Sequence, residues 1–143
     1  MDKKIVDFLT KHRVGSLTVL LPDGQPHAAA LHYSHKEAPL SVYFSTENTS
    51  RKAQGLLKGE ATKAAVVIGF SEEEWITLQM DGEVEAILDN NELVGAQALH
   101  YAKHPSSAKY KDDPATIFLK FTPRWWRYTD YNTDPATILS SDK

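Results

Sequence analysis

Apolar and polar residues alternate in short runs along most of the chain, whereas a few segments show the longer spacing of a helix. Helical spacing predicts helices over 3–13, 51–58 and 90–104. Runs rich in strand-forming residues predict eight strands: 16–21, 27–33, 40–46, 62–70, 75–80, 83–88, 115–121 and 125–131. Because the helices do not alternate with the strands, we expect a mainly β (α+β) fold, an antiparallel barrel whose ends are covered by short helices.

Turn-forming residues separate these predicted elements. The segment Pro22-Asp23-Gly24-Gln25-Pro26 lies between the first two strands, and Asp81-Gly82 lies between the strands 75–80 and 83–88. Asn90 is a suitable cap for the last helix, and Pro105 ends it. The 143 residues fit one domain, in which we expect 132–143 to form a loose C-terminal tail.

Composition excludes several kinds of chemistry. The chain has no cysteine, which removes disulfides, thiolate catalysis and metal sites built on thiolates. Its net charge of −3 is spread without a basic stripe, so we expect no nucleic-acid partner. The sequence has no apolar run long enough for a signal peptide or a membrane span, so we expect a cytoplasmic location and no membrane partner.

Two cations stand at the start of the predicted helix 51–58, where the helix dipole favours an acid. A bound anion would remove this conflict, because free backbone N–H groups and nearby hydroxyls would join the two charges. The side chains that would converge on such a phosphate are those of Thr46, Thr49, Ser50, Arg51 and Lys52. The alternative is that both cations extend into water or pair with Glu47, and the local pattern leaves the two possibilities open.

The same segment resembles the FMN-phosphate segment of the pyridoxamine 5′-phosphate oxidase-like split barrels. A strand ends in Phe44 and Thr46, and Ser50-Arg51-Lys52 then opens a helix at the family's spacing. The similarity extends over roughly residues 5 to 130, although only the Ser-Arg-Lys segment is specific. The other similar segments are 24–26, 64–68, 80–85 and 121–128.

The resemblance implies a homodimeric split barrel with two FMN sites where the subunits meet. The phosphate is then expected on Ser50, Arg51 and Lys52 with Thr46 and Thr49. The strand from His27 to Leu31, which includes Ala28, Ala29 and Ala30, is expected to line the flavin ring, since small side chains let a ring lie close to the backbone. The residues expected to complete the pocket from the partner are Trp75, Gln79 or Trp126.

Several positions depart from the vitamin B6 oxidase itself. Ala29 and Ser34 stand where the oxidase has an arginine and a lysine that help to hold the cofactor. Thr77 stands in place of its glutamine, with Gln79 two residues away, and no segment matches the Arg-x-His sequence that grips its substrate. The resemblance therefore predicts FMN binding, weaker than in the oxidase, without vitamin B6 oxidation.

Histidines and C-terminal aromatics offer further candidates. His100 and His104 have the i, i+4 spacing that zinc can use, but the sequence offers no third ligand, so we expect a solvated helix face. Strand alternation sends Trp125 and Arg127 to one face and Trp126 to the other. One face must be core, and the other is expected to supply a dimer contact or a wall over the flavin.

These observations predict an FMN-dependent oxidoreductase that moves hydride or electrons between a nicotinamide-type donor and an unidentified small acceptor. Two alternatives stay open at this point. One is a non-catalytic flavin carrier or sensor in a stress response. The other is a family relative that binds haem or deazaflavin in place of FMN.

Overall fold

The computed structural model describes residues 1–142 of the chain. Two short 3₁₀ helices, Arg51–Ala53 and Pro105–Tyr110, join longer elements within that range. The α-helices and strands follow in the order α1 Lys3–Lys11, β1 Val14–Leu20, β2 Pro26–Glu37, β3 Leu40–Glu47, β4 Thr62–Ile68, β5 Ile76–Ala86, α2 Asn90–Lys103, β6 Thr116–Asp130 and β7 Thr137–Ser140.

The strands form one antiparallel sheet in the order β3-β2-β1-β4-β5-β6-β7. The first part of β6 also pairs with β3, with Thr116 opposite Glu47 and Phe121 opposite Val42. This pairing closes six strands into a barrel, and β7 extends the sheet beyond β6. The expected mainly β, antiparallel barrel is therefore confirmed.

The barrel is split between β2 and β3. These strands pair with each other only where Tyr33–Glu37 faces Leu40–Phe44. Within the described chain, residues 26–32 of β2 pair with β1 alone, and residues 45–47 of β3 pair with β6 alone. The two strands thus diverge beyond the Tyr33–Phe44 pair, toward the start of β2 and the end of β3. Each strand presents an unpaired backbone edge to the gap.

Side chains that alternate inward from the strands fill the barrel, and α1 closes it. Leu17 and Val19 of β1 are each 1 % exposed, whereas Thr18 between them faces outward. The apolar residues of α1 that enter the same core are Ile5, Phe8 and Leu9. A second, smaller cluster lies under α2, around Ala96 and Phe118.

Two predicted pairs of strands are each one continuous strand. β5 passes through Asp81-Gly82 with a register shift where a turn was expected. Gly82 permits this bulge because a Cβ there would collide with the carbonyl oxygen of Thr122. Pro123 lies opposite Gly82, at the irregular point of the ladder where a proline is tolerated. Hence 75–80 with 83–88, and 115–121 with 125–131, form two strands rather than four.

Three further expectations differ from the structure. The helix expected over 51–58 is only the 3₁₀ turn Arg51–Ala53. Asp89, not Asn90, caps α2, and its carboxylate accepts a hydrogen bond of 2.9 Å from the backbone N–H of Glu92. The segment expected as a loose tail contains β7, which pairs with β6, while residue 143 lies outside the described residues.

Among the helices of residues 1–142, none has the length and apolar character needed to cross a membrane.

Candidate functional site

A cleft of about 410 Å³ opens where β2 and β3 diverge. Its walls come from the ends of three strands and from the segment that leads into β6. The residues that line it are Leu31, Ser45, Thr46, Glu47, Ser50, Lys52, Tyr110, Asp113 and Thr116. The sequence prediction of a site at Thr46, Ser50 and Lys52 thus coincides with a cavity between separated strand edges.

Lys52 is the most constrained charge in this cleft. It is only 9 % exposed, and its ammonium makes no ion pair or side-chain hydrogen bond with any described residue. Burial lowers the pKa of Lys52, and the charge of Glu47 partly opposes that effect. Because the ammonium is partly desolvated and has no ion-pair partner, an anion in the cleft would stabilise this arrangement.

Two hydroxyls stand beside the ammonium. Thr46 donates through Oγ1 to Oγ of Ser50 at 3.3 Å. Ser50 precedes the 3₁₀ turn at a cap position, yet its side chain makes no capping hydrogen bond. The hydroxyl proton of Ser50 is therefore free to point toward a ligand oxygen.

The structure separates the remaining members of the predicted phosphate site from the cleft. Thr49 is exposed and does not line it. Arg51 is exposed and lines a different groove, with Leu21, Pro22, Asp23 and Gln54. The predicted conflict with a helix dipole also disappears, because a turn of three residues carries almost no dipole. Of the two neighbouring cations, only Lys52 faces the cleft.

The predicted ring-binding strand flanks the cleft with its unpaired edge. Leu31 lines the cavity directly. His27 and Ala29 are half-buried opposite the inward-facing Val19 and Leu17, whereas Ala28 and Ala30 point outward and are exposed. The strand thus offers backbone N–H and C=O groups flanked by small side chains.

None of the three residues predicted to act from a partner lines the cleft of its own chain. Trp126 packs against the barrel core, and Gln79 lies exposed on the outer face of β5. Trp75 is exposed beside Tyr131, with the ring centroids 6.1 Å apart. The cleft lies at the start of β6 and Tyr131 follows its end, so about 45 Å of strand separates them along the chain.

Sequence reasoning missed the wall formed by Tyr110, Asp113 and Thr116. Tyr110 ends the 3₁₀ helix Pro105–Tyr110, and its carbonyl accepts a hydrogen bond of 3.1 Å from the N–H of Asp113. Thr116 comes into place because it pairs with Glu47 in the β3–β6 ladder. The only signal in the sequence was a tyrosine in an otherwise polar stretch, which does not indicate which strand it will face.

The histidines of α2 are not on a solvated face as expected. His100 and His104 are each 1 % exposed because α2 turns them onto β2. Among residues 1–142, no group of three or more potential ligand side chains could hold a metal ion.

Comparisons with known proteins identify the family and the fold. The sequence profile described as pyridoxamine 5′-phosphate oxidase matches residues 1–130. The chain belongs to that family. No curated protein matches the chain in sequence.

Several solved structures share the fold at low sequence identity. A protein from Clostridium acetobutylicum related to general stress protein 26 is 16 % identical with a TM-score of 0.71, over 99 % of this chain and 98 % of that one. A heme binding protein from Mycobacterium smegmatis is 17 % identical with a TM-score of 0.73, over 94 % of this chain but 54 % of that one. HutZ, the heme storage protein of Vibrio cholerae, is 12 % identical with a TM-score of 0.71, over 86 % and 89 %. At such identities these likenesses establish the split-barrel fold alone.

Proposed function

We propose that the cleft binds FMN, with the phosphate on Lys52, Thr46 and Ser50 and the flavin ring along the unpaired edge of β2. The observation that carries this proposal is the ammonium of Lys52, a residue only 9 % exposed, which faces the cavity without an ion pair or side-chain hydrogen bond to any described residue. A phosphate would give it an ion-pair partner and accept a hydrogen bond from the hydroxyl of Ser50. Family membership supports the same choice of ligand.

The edge of β2 supports the position of the ring. A flavin presents hydrogen-bonding atoms in one plane, and an unpaired strand edge presents N–H and C=O groups in one row. Ala28 and Ala30 leave space above that row, and Leu31 provides an apolar contact inside the cleft. The flavin would supply the redox chemistry, while the chain positions it and excludes water from one side.

The cleft of a single chain is less cationic than the sequence suggested. Its lining carries the charge of Lys52 against the carboxylates of Glu47 and Asp113, and Arg51 faces elsewhere. We therefore expect FMN to bind more weakly than a site with several cations would bind it, and to depend on Lys52 more than on Arg51.

The outer face of the barrel supports the proposed homodimer. Small uncharged residues that point outward from β2, β1 and β4 form one side of it, and side chains of β5 and β6 form the other side. Two rows of paired residues cross the sheet. The first consists of Ala30, Ser16, Val67, Gln79 and Arg127, and the second consists of Ala28, Thr18, Ala65, Asp81 and Trp125. Small residues allow the close approach that a second copy of the same face requires.

An aromatic patch beside the ends of β5 and β6 also supports the homodimer. Phe70, Trp75 and Tyr131 are all more than half exposed and line a cavity of about 290 Å³. A two-fold axis near the middle of the face would bring the β5–β6 side of one copy to the β2 side of the other. The aromatic patch would then reach the partner's cleft, which agrees with the sequence prediction for Trp75.

The backbone holds this patch ready for such a contact. Trp75 has a φ of 54°, a conformation that bulky residues rarely adopt. Hydrogen bonds fix it on both sides, from its own N–H to the carbonyl of Ser71 at 3.0 Å and from the N–H of Tyr131 to its carbonyl at 2.9 Å. The exposed indole is therefore presented in a defined orientation.

Haem is the second candidate ligand, because two structural neighbours bear names that refer to heme. A haem iron needs an axial ligand, for which proteins use histidine, cysteine, methionine or tyrosine. Of the residues that line the cleft, only Tyr110 belongs to these types. Flavin is the better fit, because Lys52 matches a phosphate directly.

With flavin bound, the chain would act as an oxidoreductase for a nicotinamide-type donor and a small acceptor, the alternative being a carrier or sensor that does not turn over. Steady-state oxidation of NADH or NADPH by the loaded protein separates these two roles. Turnover supports the enzyme, and a bound flavin that stays oxidised in the presence of both donors supports the carrier.

The first experiment is a visible absorption spectrum after incubation with FMN and desalting, with hemin in a parallel sample. Wild type should retain flavin bands, Lys52→Gln should lose them, and the neighbouring Arg51→Gln should keep them. A wild type that retains no flavin at any concentration tested contradicts the proposal, and retention of hemin alone would replace it with haem binding.

A further inference from the structure

A second polar cluster lies outside the cleft, between the end of α2 and β2. We call it the basic cluster, and its members are Arg13, His32, His100, Lys103 and His104. The rings of His32 and His100 each lie 4.8 Å from that of His104. No carboxylate is among the charges that act on His100, Lys103 or His104. Protonation here would therefore add positive charge to a buried place that offers no counter-charge.

His104 has a defined protonation state at the centre of the cluster. Its Nε2 lies 2.7 Å from the carbonyl oxygen of Tyr33, and its Nδ1 lies 3.4 Å from Nη2 of Arg13. A carbonyl only accepts and a guanidinium only donates, so His104 is neutral and carries its proton on Nε2. Both ring nitrogens are engaged, which also explains why the i, i+4 spacing of His100 and His104 does not create a zinc site.

Every element around His104 adds polar or cationic groups. From α1, the carbonyl of Leu9 accepts from Lys103 at 2.9 Å and from the Tyr33 hydroxyl at 2.6 Å. The ammonium of Lys103 also lies 3.9 Å from the centre of the Tyr33 ring. The other groups packed here are His32, Ser34 and His35 of β2, Tyr101 of α2 and Phe118 of β6.

Burial lowers the pKa of these bases. The pKa of His100 falls to about 4 and that of Lys103 to about 8, mainly because both are buried. The pKa of His104 is also lowered by burial, although its hydrogen bond to the Tyr33 carbonyl opposes the effect. Burial and the charge of Lys103 lower the pKa of His35. The charge of Glu37 raises the pKa of His35 and is not among the charges that act on His100, Lys103 or His104. A proton on Nδ1 of His104 would place one donor against another, the guanidinium of Arg13.

His104 also connects the cluster to the cleft. It ends α2 and begins the 3₁₀ helix Pro105–Tyr110, where its carbonyl accepts from the N–H of Ser107 at 3.0 Å. That helix delivers Tyr110 to the cleft, and the turn after it delivers Asp113. The hydrogen bond between His104 and the Tyr33 carbonyl thus holds the chain against β2 immediately before this wall.

We propose that His104 is a positioning residue for the wall, and that its protonation releases the end of α2 from β2, withdraws the side of the cleft that carries Tyr110 and weakens ligand binding through the loss of that side. The proposal rests on the proposed function only for the identity of the ligand, because the movement of the wall requires no ligand.

The direction of the pH effect follows from the preference of the docked state for neutral histidines. A free histidine takes up its proton near pH 6.5, whereas the docked ones resist it. The docked state therefore loses stability as pH falls below about 6.5, and the loss continues toward the lowered pKa values. Above that range the histidines are neutral in both states and have no effect.

The first test measures FMN affinity by fluorescence titration at about pH 7.5 and about pH 5.5. Wild type should bind more weakly at the lower pH, by up to about tenfold, because a free histidine with a pKa near 6.5 is about nine-tenths protonated at pH 5.5. His104→Gln retains a donor and an acceptor but takes no proton, so it should lose the part of this dependence that His104 contributes. His12→Gln, outside the basic cluster, is the control and should behave as wild type.

The phosphate of FMN itself titrates near pH 6, and this contribution is common to all three proteins. The ratio between wild type and His104→Gln therefore isolates the histidine. An identical pH dependence in both proteins would overturn the proposal.

The second test uses hydrogen exchange of the flavin-free protein, corrected for the intrinsic effect of pH on exchange. Residues 104–116 should lose protection at the lower pH before the barrel strands do. Arg13→Gln, a change at an exposed residue, should reduce this loss because it removes the opposing cation. If FMN does not bind at all, the proposed function fails while the exchange still decides this inference. Unchanged protection of 104–116 in wild type contradicts it.

Discussion

The strands β2 and β3 are joined along one half and separated along the other, and the two halves differ in what they contribute. In the joined half, Tyr33 pairs with Phe44, both are 0 % exposed, and the Tyr33 hydroxyl donates to the carbonyl of Leu9. In the separated half, Ala28 and Ala30 are exposed and the strand edges have no partner among the described residues. The same two strands thus build core at one end and a binding cleft at the other.

The cleft depends on the joined half without contributing to stability itself. Unpaired edges and a partly desolvated ammonium without an ion-pair partner both lower the stability of the separated half. The apolar contacts of the joined half oppose that loss, because fully burying a large side chain contributes about 1.5–3 kcal/mol. Substitutions on either side of the point of divergence should therefore have different consequences.

Phe44→Ala should have the largest effect on stability. It removes a fully buried ring from the joined half, for which a loss of about 3–5 kcal/mol in the free energy of unfolding is expected. Chemical denaturation monitored by circular dichroism measures this loss.

Thr46→Ala, two residues further along the same strand, is the matched control in the separated half. Its hydroxyl donates only to Ser50, so stability should change by less than about 1 kcal/mol while FMN affinity falls. Equal losses of stability in the two variants would show that the two halves do not differ as described.

Ala30→Arg should have the next largest effect, on assembly. The change places a long cation among the small uncharged residues of the outer face, where a second copy is proposed to pack. We expect a monomer by analytical ultracentrifugation and a loss of retained FMN, with little change in circular dichroism. Ala98→Arg on the exposed side of α2 is the control and should leave assembly unchanged. A dimer that survives Ala30→Arg would exclude this face as the contact.

Much of the fold was predictable because alternation and turn residues are local signals. The pattern predicted the strands of the barrel, but it failed at Gly82, because glycine occurs both in turns and in β-bulges. Asp81-Gly82 is typical of a turn, but here Gly82 permits a bulge against Thr122, a contact that depends on a strand 40 residues later in the chain. Which strands pair, and where they diverge, is likewise set by contacts distant in sequence.

The candidate site was predictable by segment but not by side chain. Arg51 and Lys52 are neighbours in sequence, yet the turn sends one into solvent and the other into the cleft. The wall with Tyr110 could not be inferred, because its place depends on how α2 lies on β2 and on the pairing of Thr116 with Glu47. The same holds for His104, whose burial reflects how α2 lies on β2.

Asp89→Ala should have the smallest effect. Asp89 lies outside both halves of the β2–β3 pair, so the variant tests whether the start of α2 supports the cleft. Asp89 caps α2 at the end remote from the basic cluster, and its loss should lower stability by about 1 kcal/mol. Thermal unfolding measures the change, and FMN affinity should stay as in wild type, because the wall is fixed through His104 at the other end of the helix. Asp89→Asn preserves an acceptor for the N–H of Glu92 and should restore most of the stability. A clear loss of FMN affinity in Asp89→Ala would instead mean that the whole of α2, and not its last turn alone, supports the cleft.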